Sequence, residues 1–233
     1  MLIVTHEHSK AHTSMGIEVQ KRQSAKGPLM IHDSNERGFA IVGIGSSAGG
    51  PTTLEKIFAG LPSDLPATFL LSQHMPKGFT EPLARRLSSV SNRPVIEAYH
   101  GCMTKADETL IAPGGHNIEI LREGLVRVER VPDDATPTPS INVMTKSIAR
   151  AYEAKSVGVL LTGMLHDGAE GMKPIKESGG VTIAQDEASS LVYGMPQAAL
   201  DAGVVDIVTN PLDIPARVAD AVEMVLTRPL IIE

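Results

Sequence analysis

Cysteine, tryptophan and long apolar runs are scarce or missing in this sequence. A single cysteine, Cys102, stands among 233 residues. The chain can therefore hold no internal disulfide and no cluster of thiolate metal ligands. There is no Trp, with three Tyr and four Phe, which argues against stacking platforms for single-stranded nucleic acid. Lys and Arg number 21 against 27 Asp and Glu, a formal charge of −6. That balance gives no general footprint for nucleic acid or anionic lipid. Apolar runs stay as short as Val157-Gly158-Val159-Leu160-Leu161, too short to span a bilayer. The N-terminus has no continuous apolar core of signal-peptide type. The expectation is a cytoplasmic protein without membrane insertion. What is present is ordinary globular composition, 42% hydrophobic and 21% charged, in a chain long enough to bury a core without staples.

Two regions differ in character. Residues 1–38 are rich in His, Lys, Ser, Gln and Glu and carry no long apolar period; they read as a flexible tail. His6, His8 and His12 lie close together there, with no acidic or Cys ligand in metal-site spacing. Residues 39–233 read as one domain. Phe39-Ala40-Ile41-Val42-Gly43-Ile44 is a buried strand running into the turn Gly45-Ser46-Ser47-Ala48-Gly49-Gly50-Pro51. Leu54, Ile57, Phe58 and Leu61 then fall on one helical face, and Pro51 suits a first helical turn. The unit recurs: a strand over 67–72, a helix marked by Leu83, Leu87 and Val90, and a strand over 94–98. Residues 117–121 and 125–130 alternate around Arg122-Glu123-Gly124, a hairpin signal that argues against a purely parallel sheet. Ile141, Met144, Ile148 and Tyr152 mark a helix that Ser140 can cap. Strands over 156–161, 181–184 and 204–208 follow, with helices over 168–177 and around Val218, Ala221, Val222 and Val225. Alternating strands and helices predict a three-layer, doubly wound α/β fold, a mostly parallel Rossmann-like sheet with a β-hairpin.

In such a sheet ligands bind beyond the carboxyl ends of the strands. The residues there are Ser46-Ser47, then Gln73-His74-Met75-Pro76, then Thr162-Gly163-Met164-Leu165-His166-Asp167-Gly168. A Ser, a His and an Asp at strand ends are the parts for nucleophilic acyl transfer. Gly45-Ser46-Ser47-Ala48-Gly49 fits the nucleophile-elbow pattern, with Ser47 exposed at a helix N-terminus; it equally fits a plain Gly-Ser turn. Gly43 to Ala48 also satisfies a dinucleotide fingerprint, yet the second strand ends in Gln73-His74 where an acid should hold the ribose. His74 follows a buried strand, as a base could, and His166 is its rival. Asp167 could orient that base or simply cap the helix that follows. The order Ser, His, Asp is not that of the α/β-hydrolases.

Together these segments resemble the catalytic domain of the CheB-type protein-glutamate methylesterases of bacterial chemotaxis. The resemblance spans about Phe39 to Leu226. It rests on Ile44-Gly45-Ser46-Ser47-Ala48-Gly49-Gly50, Gln73-His74-Met75-Pro76-Lys77-Gly78-Phe79-Thr80, Ile111-Ala112-Pro113-Gly114-Gly115-His116, Leu161-Thr162-Gly163-Met164 with Asp167-Gly168-Ala169, Ala184-Gln185-Asp186-Glu187-Ala188-Ser189, and Tyr193-Gly194-Met195-Pro196. It implies a Ser-His-Asp hydrolase with Ser47 as nucleophile, His74 as general base and Asp167 as its orienting acid. The Met164 N–H would help hold the oxyanion, in a pocket with Ala48, Gly49 and Gly163. The implied substrates are glutamate methyl esters, and in some members glutamines, of methyl-accepting chemotaxis receptors. No metal or organic cofactor is implied. Residues 1–38 are too few for the phospho-receiver domain that members usually carry, so control by phosphorylation is not carried over. Three departures stand out: Ala48 where Thr is common, Leu165 and His166 where the loop typically has a Gly, and Asn142 for a common Asp. They keep open a catalytically altered regulatory or binding module, and beside it a small-molecule carboxylesterase.

Overall fold

The computed structural model describes residues 38–91, 93–132 and 137–228. The tail expected over residues 1–38, with His6, His8 and His12, lies outside them but for Gly38. Nine strands and six helices follow in chain order: β1 (Ala40–Ser46), α1 (Gly50–Gly60), β2 (Ala67–Gln73), α2 (Thr80–Val90), β3 (Val95–Glu97), β4 (Thr109–Ile111), β5 (His116–Ile120), β6 (Val126–Arg130), α3 (Ile141–Tyr152), β7 (Ser156–Leu160), α4 (Ala169–Glu177), β8 (Val181–Gln185), α5 (Gly194–Asp201), β9 (Ile207–Thr209) and α6 (Ile214–Thr227). Seven strands form one sheet in the order β3-β4-β2-β1-β7-β8-β9. Every neighbouring pair in it runs parallel. The hairpin read from the sequence is present, but β5 and β6 pair antiparallel in a sheet of their own. The main sheet is thus parallel throughout, unlike the expectation drawn from the hairpin.

The three layers follow from strand alternation. Successive side chains of a strand point to opposite faces, and here both faces are covered, so β1 and β2 are buried along their whole length. Val42, Ile44, Phe69, Leu71, Val157 and Val159 pack with α1, α2 and α6 on one face. Ile41, Leu70 and Leu110 pack on the other face with α3 and the hairpin. Leu160 joins Ile141 of α3, Met172 of α4 and Met195 and Ala199 of α5. No described helix is long and apolar enough to cross a membrane.

The sheet order reverses at β1. From there the chain builds outward through β2 to β4 and β3, then returns to β7 and builds the other way. The crevice at such a switch point is where a parallel sheet offers a site. Register sets the strand ends side by side: Ser46 pairs with Gln73, and Gly45 with Leu160. Ser47, His74 and the loop after β7 therefore leave the sheet as neighbours.

Candidate active site

Ser46 and Ser47 divide the work of the first turn. Ser46 is fully buried, and its hydroxyl donates to Gln73 Oε1 at 2.6 Å. The Gln73 amide in turn donates to Ser47 O at 2.9 Å and to His74 O at 3.0 Å. Ser47 is half-buried; its N–H donates to Thr162 O at 3.0 Å, and its carbonyl accepts from Gly50 N–H at 2.9 Å. Gly49 holds φ at 81° as the residue before α1, a left-handed conformation that suits glycine. The Thr162 hydroxyl lies 2.9 Å from Ala48 O and accepts from Val192 N–H at 3.0 Å. Gly163 approaches so closely that a Cβ there would come within 2.7 Å of Ser47 Cβ and 2.2 Å of Met195 Sδ.

His74 leaves β2 with its N–H donating to Ser46 O at 3.0 Å. Its ring Nε2 lies 2.9 Å from Asp167 Oδ2, with the two side chains 11% and 6% exposed. Nε2 is thus the ring nitrogen that faces the carboxylate. Asp167 does not cap the helix it precedes through a helix-cap bond at α4, whose N-cap position is Gly168. Its carboxylate instead lies at the N-terminus of α3. Oδ2 accepts from Ile141 N–H at 2.7 Å, and Oδ1 from Asn142 N–H at 3.0 Å, from the Ser140 hydroxyl at 3.3 Å and from Gly168 N–H at 3.1 Å. Burial alone would raise the Asp167 pKa; the bond from His74 and the N–H groups of Ile141 and Asn142 outweigh it and hold the carboxyl below its ordinary range.

Ser47 and His74 line one cleft of about 340 Å³ with Met75, Pro76, Pro137, Thr138, Met164 and Leu165. Met164 follows Gly163 and lines that cleft. His166 is exposed and takes no part in the pairing. Ser47, His74, Met164, Gly163, Ala48, Gly49 and Asp167 thus belong to one neighbourhood. The dinucleotide reading has no footing here, since the side chain at the end of β2 is turned inward onto Ser46. Gln73 and Thr162 carry no role in the sequence reading, although Gln73 adjoins His74 in a motif and Thr162 precedes Gly163. Asn142 was seen only as a departure. Its Oδ1 accepts from Gly168 N–H at 3.1 Å and Gly171 N–H at 2.6 Å, fastening the start of α4 to α3.

A serine, a histidine and a buried carboxylate at adjoining ends of a parallel sheet have the layout of a serine hydrolase. Residues 42–218 match the family model for CheB methylesterase. The chain belongs to that family. It is 45% identical over 187 residues to a protein-glutamate methylesterase/protein-glutamine glutaminase of Moorella thermoacetica, covering 78% of this chain and 44% of the relative. A protein of the same description from Pyrococcus horikoshii is 43% identical, covering 79% and 51%. The chain spans about half the length of these curated relatives. Among solved structures, the Thermotoga maritima CheB methylesterase catalytic domain superposes with a TM-score of 0.75 at 36% identity, covering 79% of this chain and 99% of that one.

Proposed function

We propose that this chain is a serine hydrolase that demethylates glutamate methyl esters on methyl-accepting chemotaxis receptors, acting in the cytoplasm, and that the same site deamidates receptor glutamines. Residues 39–233 are the catalytic domain in this reading. The observation that carries it is the His74 Nε2 to Asp167 Oδ2 bond at 2.9 Å, in a cleft that His74 shares with Ser47. The names borne by its relatives supply the substrate class.

Ser47 is the nucleophile and His74 the base. With Asp167 accepting from Nε2–H, the lone pair of Nδ1 takes the Ser47 proton as Oγ attacks the ester carbonyl. Negative charge gathers on the carbonyl oxygen, and the Met164 N–H donates to it. The C–O bond to the methoxy group then breaks, and the proton held on Nδ1 leaves with it as methanol. Water enters, gives a proton to His74 and attacks the acyl-enzyme; the glutamate carboxylate departs and Ser47 recovers its proton. With a glutamine side chain the first leaving group is ammonia and the remaining steps are the same. Asp167 remains ionised throughout and fixes the tautomer.

The test is methanol release from methylated chemotaxis receptor, wild type beside Ser47→Ala. Methanol from the wild type alone supports the reading. Equal release, or none from folded wild type, overturns it.

A further inference from the structure

We propose that Leu165 is a specificity-determining residue, forming an apolar wall of the Ser47 cleft that selects esters with an apolar side chain beside them. The inference rests on the hydrolase reading above and adds to it the kind of neighbour that the ester must have.

Three observations meet at this position. The first is the backbone. Leu165 has φ at 65°, in the left-handed region that a residue with a Cβ seldom adopts. The surrounding loop fixes that conformation from both sides. Gly163 N–H donates to Val192 O at 2.9 Å, and Met195 N–H donates to Gly163 O at 3.0 Å. The Leu165 backbone lies so close to α5 that a Cβ on Gly194 would stand 3.0 Å from Leu165 O and 3.1 Å from its N. Two residues on, Asp167 is tied to the start of α3. A loop pinned at both ends imposes its φ on whichever residue occupies it, and such over-determined strain clusters at functional sites. Leucine therefore gains nothing here from local conformation.

The second observation is exposure. Leu165 is 65% exposed, so it does not contribute the burial by which leucine ordinarily stabilises a fold. The third is place. Its side chain lines the cleft that holds Ser47 and His74, next to Met164, which is 58% exposed. A costly backbone and an exposed apolar side chain find a common purpose in contact with substrate.

The chemistry of the wall defines what it contacts. Met164, Leu165, Met75, Pro76 and Pro137 offer no side-chain charge and no side-chain hydrogen-bond donor, and beyond Ser47 and His74 the lining adds only the hydroxyl of Thr138. The ester carbonyl must reach Ser47, so the wall meets the group next to the ester. An apolar neighbour loses water against it, whereas a polar one gives up hydrogen bonds that the wall does not replace.

The experiment compares wild type, Leu165→Gly, Leu165→Ala and Ser47→Ala on two synthetic peptides. Each peptide carries one glutamate γ-methyl ester, flanked by leucines in one and serines in the other. Wild type should favour the leucine-flanked peptide by about tenfold in kcat/KM, through KM. Both Leu165 variants should lose that preference. Leu165→Gly should melt at or above the wild-type temperature, because glycine takes this φ without strain; a lost preference is then not a folding defect. No preference in the wild type, or the same preference in all three active proteins, overturns the proposal and leaves the hydrolase reading standing. Hydrolysis by wild type no faster than by Ser47→Ala overturns both.

Discussion

Asp167 collects five hydrogen bonds on two oxygens. Four of the donors are protein groups other than the histidine, so the carboxylate is a structural keystone as well as the histidine's partner. Its depressed pKa fixes the sign of the pH effect. The folded state binds the proton more weakly than the unfolded chain. The stabilisation is therefore complete above the ordinary Asp value of 3.8 and is lost as pH falls through the lower folded value. Asp167→Asn should reduce stability at pH 7 by about 1–3 kcal/mol, since an amide cannot accept all these bonds. Urea titrations should show the gap to wild type narrowing as pH falls below 3.8. A gap that stays constant with pH would contradict the assignment. From the local residues alone, a cap for the helix after it is the favoured reading of Asp167. Nothing local points elsewhere, because the N–H groups that claim it come from Ile141 and Asn142, about 25 residues earlier.

Elements with a strong local signal were legible. The faces of α1 and α3 followed from apolar spacing, and Ser140 does cap α3, its hydroxyl accepting from Val143 N–H at 3.3 Å. β4 and α5 went unread. β4 has three residues, too few for a period, and it is a strand because Leu70 and Ile96 flank Leu110 in register. α5 has eight residues, with Met195, Pro196 and Ala199 buried; its start is set by the bond of Met195 N–H to Gly163 O. The hydrogen-bonded tie from α3 to the first turn of α4 was equally hidden, because it comes from the side chain of Asn142, 26 residues before Gly168. Asn142→Ala should leave the Gly168 and Gly171 N–H groups without that acceptor and cost about 1–2 kcal/mol in chemical unfolding. Asn142→Asp, which still accepts both bonds, should lose less. Equal stability of Asn142→Ala and wild type would remove Asn142 from this role.

At the scale of the whole molecule, the sequence carried the layers and the strand ends that matter. Continuous apolar runs mark strands buried on both faces, and the residues directly after them fell together as the switch-point rule requires. What it did not carry was the separation of the hairpin from the main sheet, since pairing partners are a tertiary choice. The site itself rests on β1, β2 and β7, three adjoining strands in the middle of seven. Ser47 and His74 are clasped by the single amide of Gln73, one residue beyond fully buried strands. Central strands of this kind are the last part of a protein to open, and peripheral elements the first. The candidate site then has no private route to disorder. In urea, esterase activity and far-ultraviolet dichroism should be lost with one shared midpoint; activity vanishing well before the helical signal would mean that the site melts on its own. On the proposed function, a cell that ages or heats this protein would accordingly hold molecules that are fully active or fully unfolded, with no lingering population that is folded but idle.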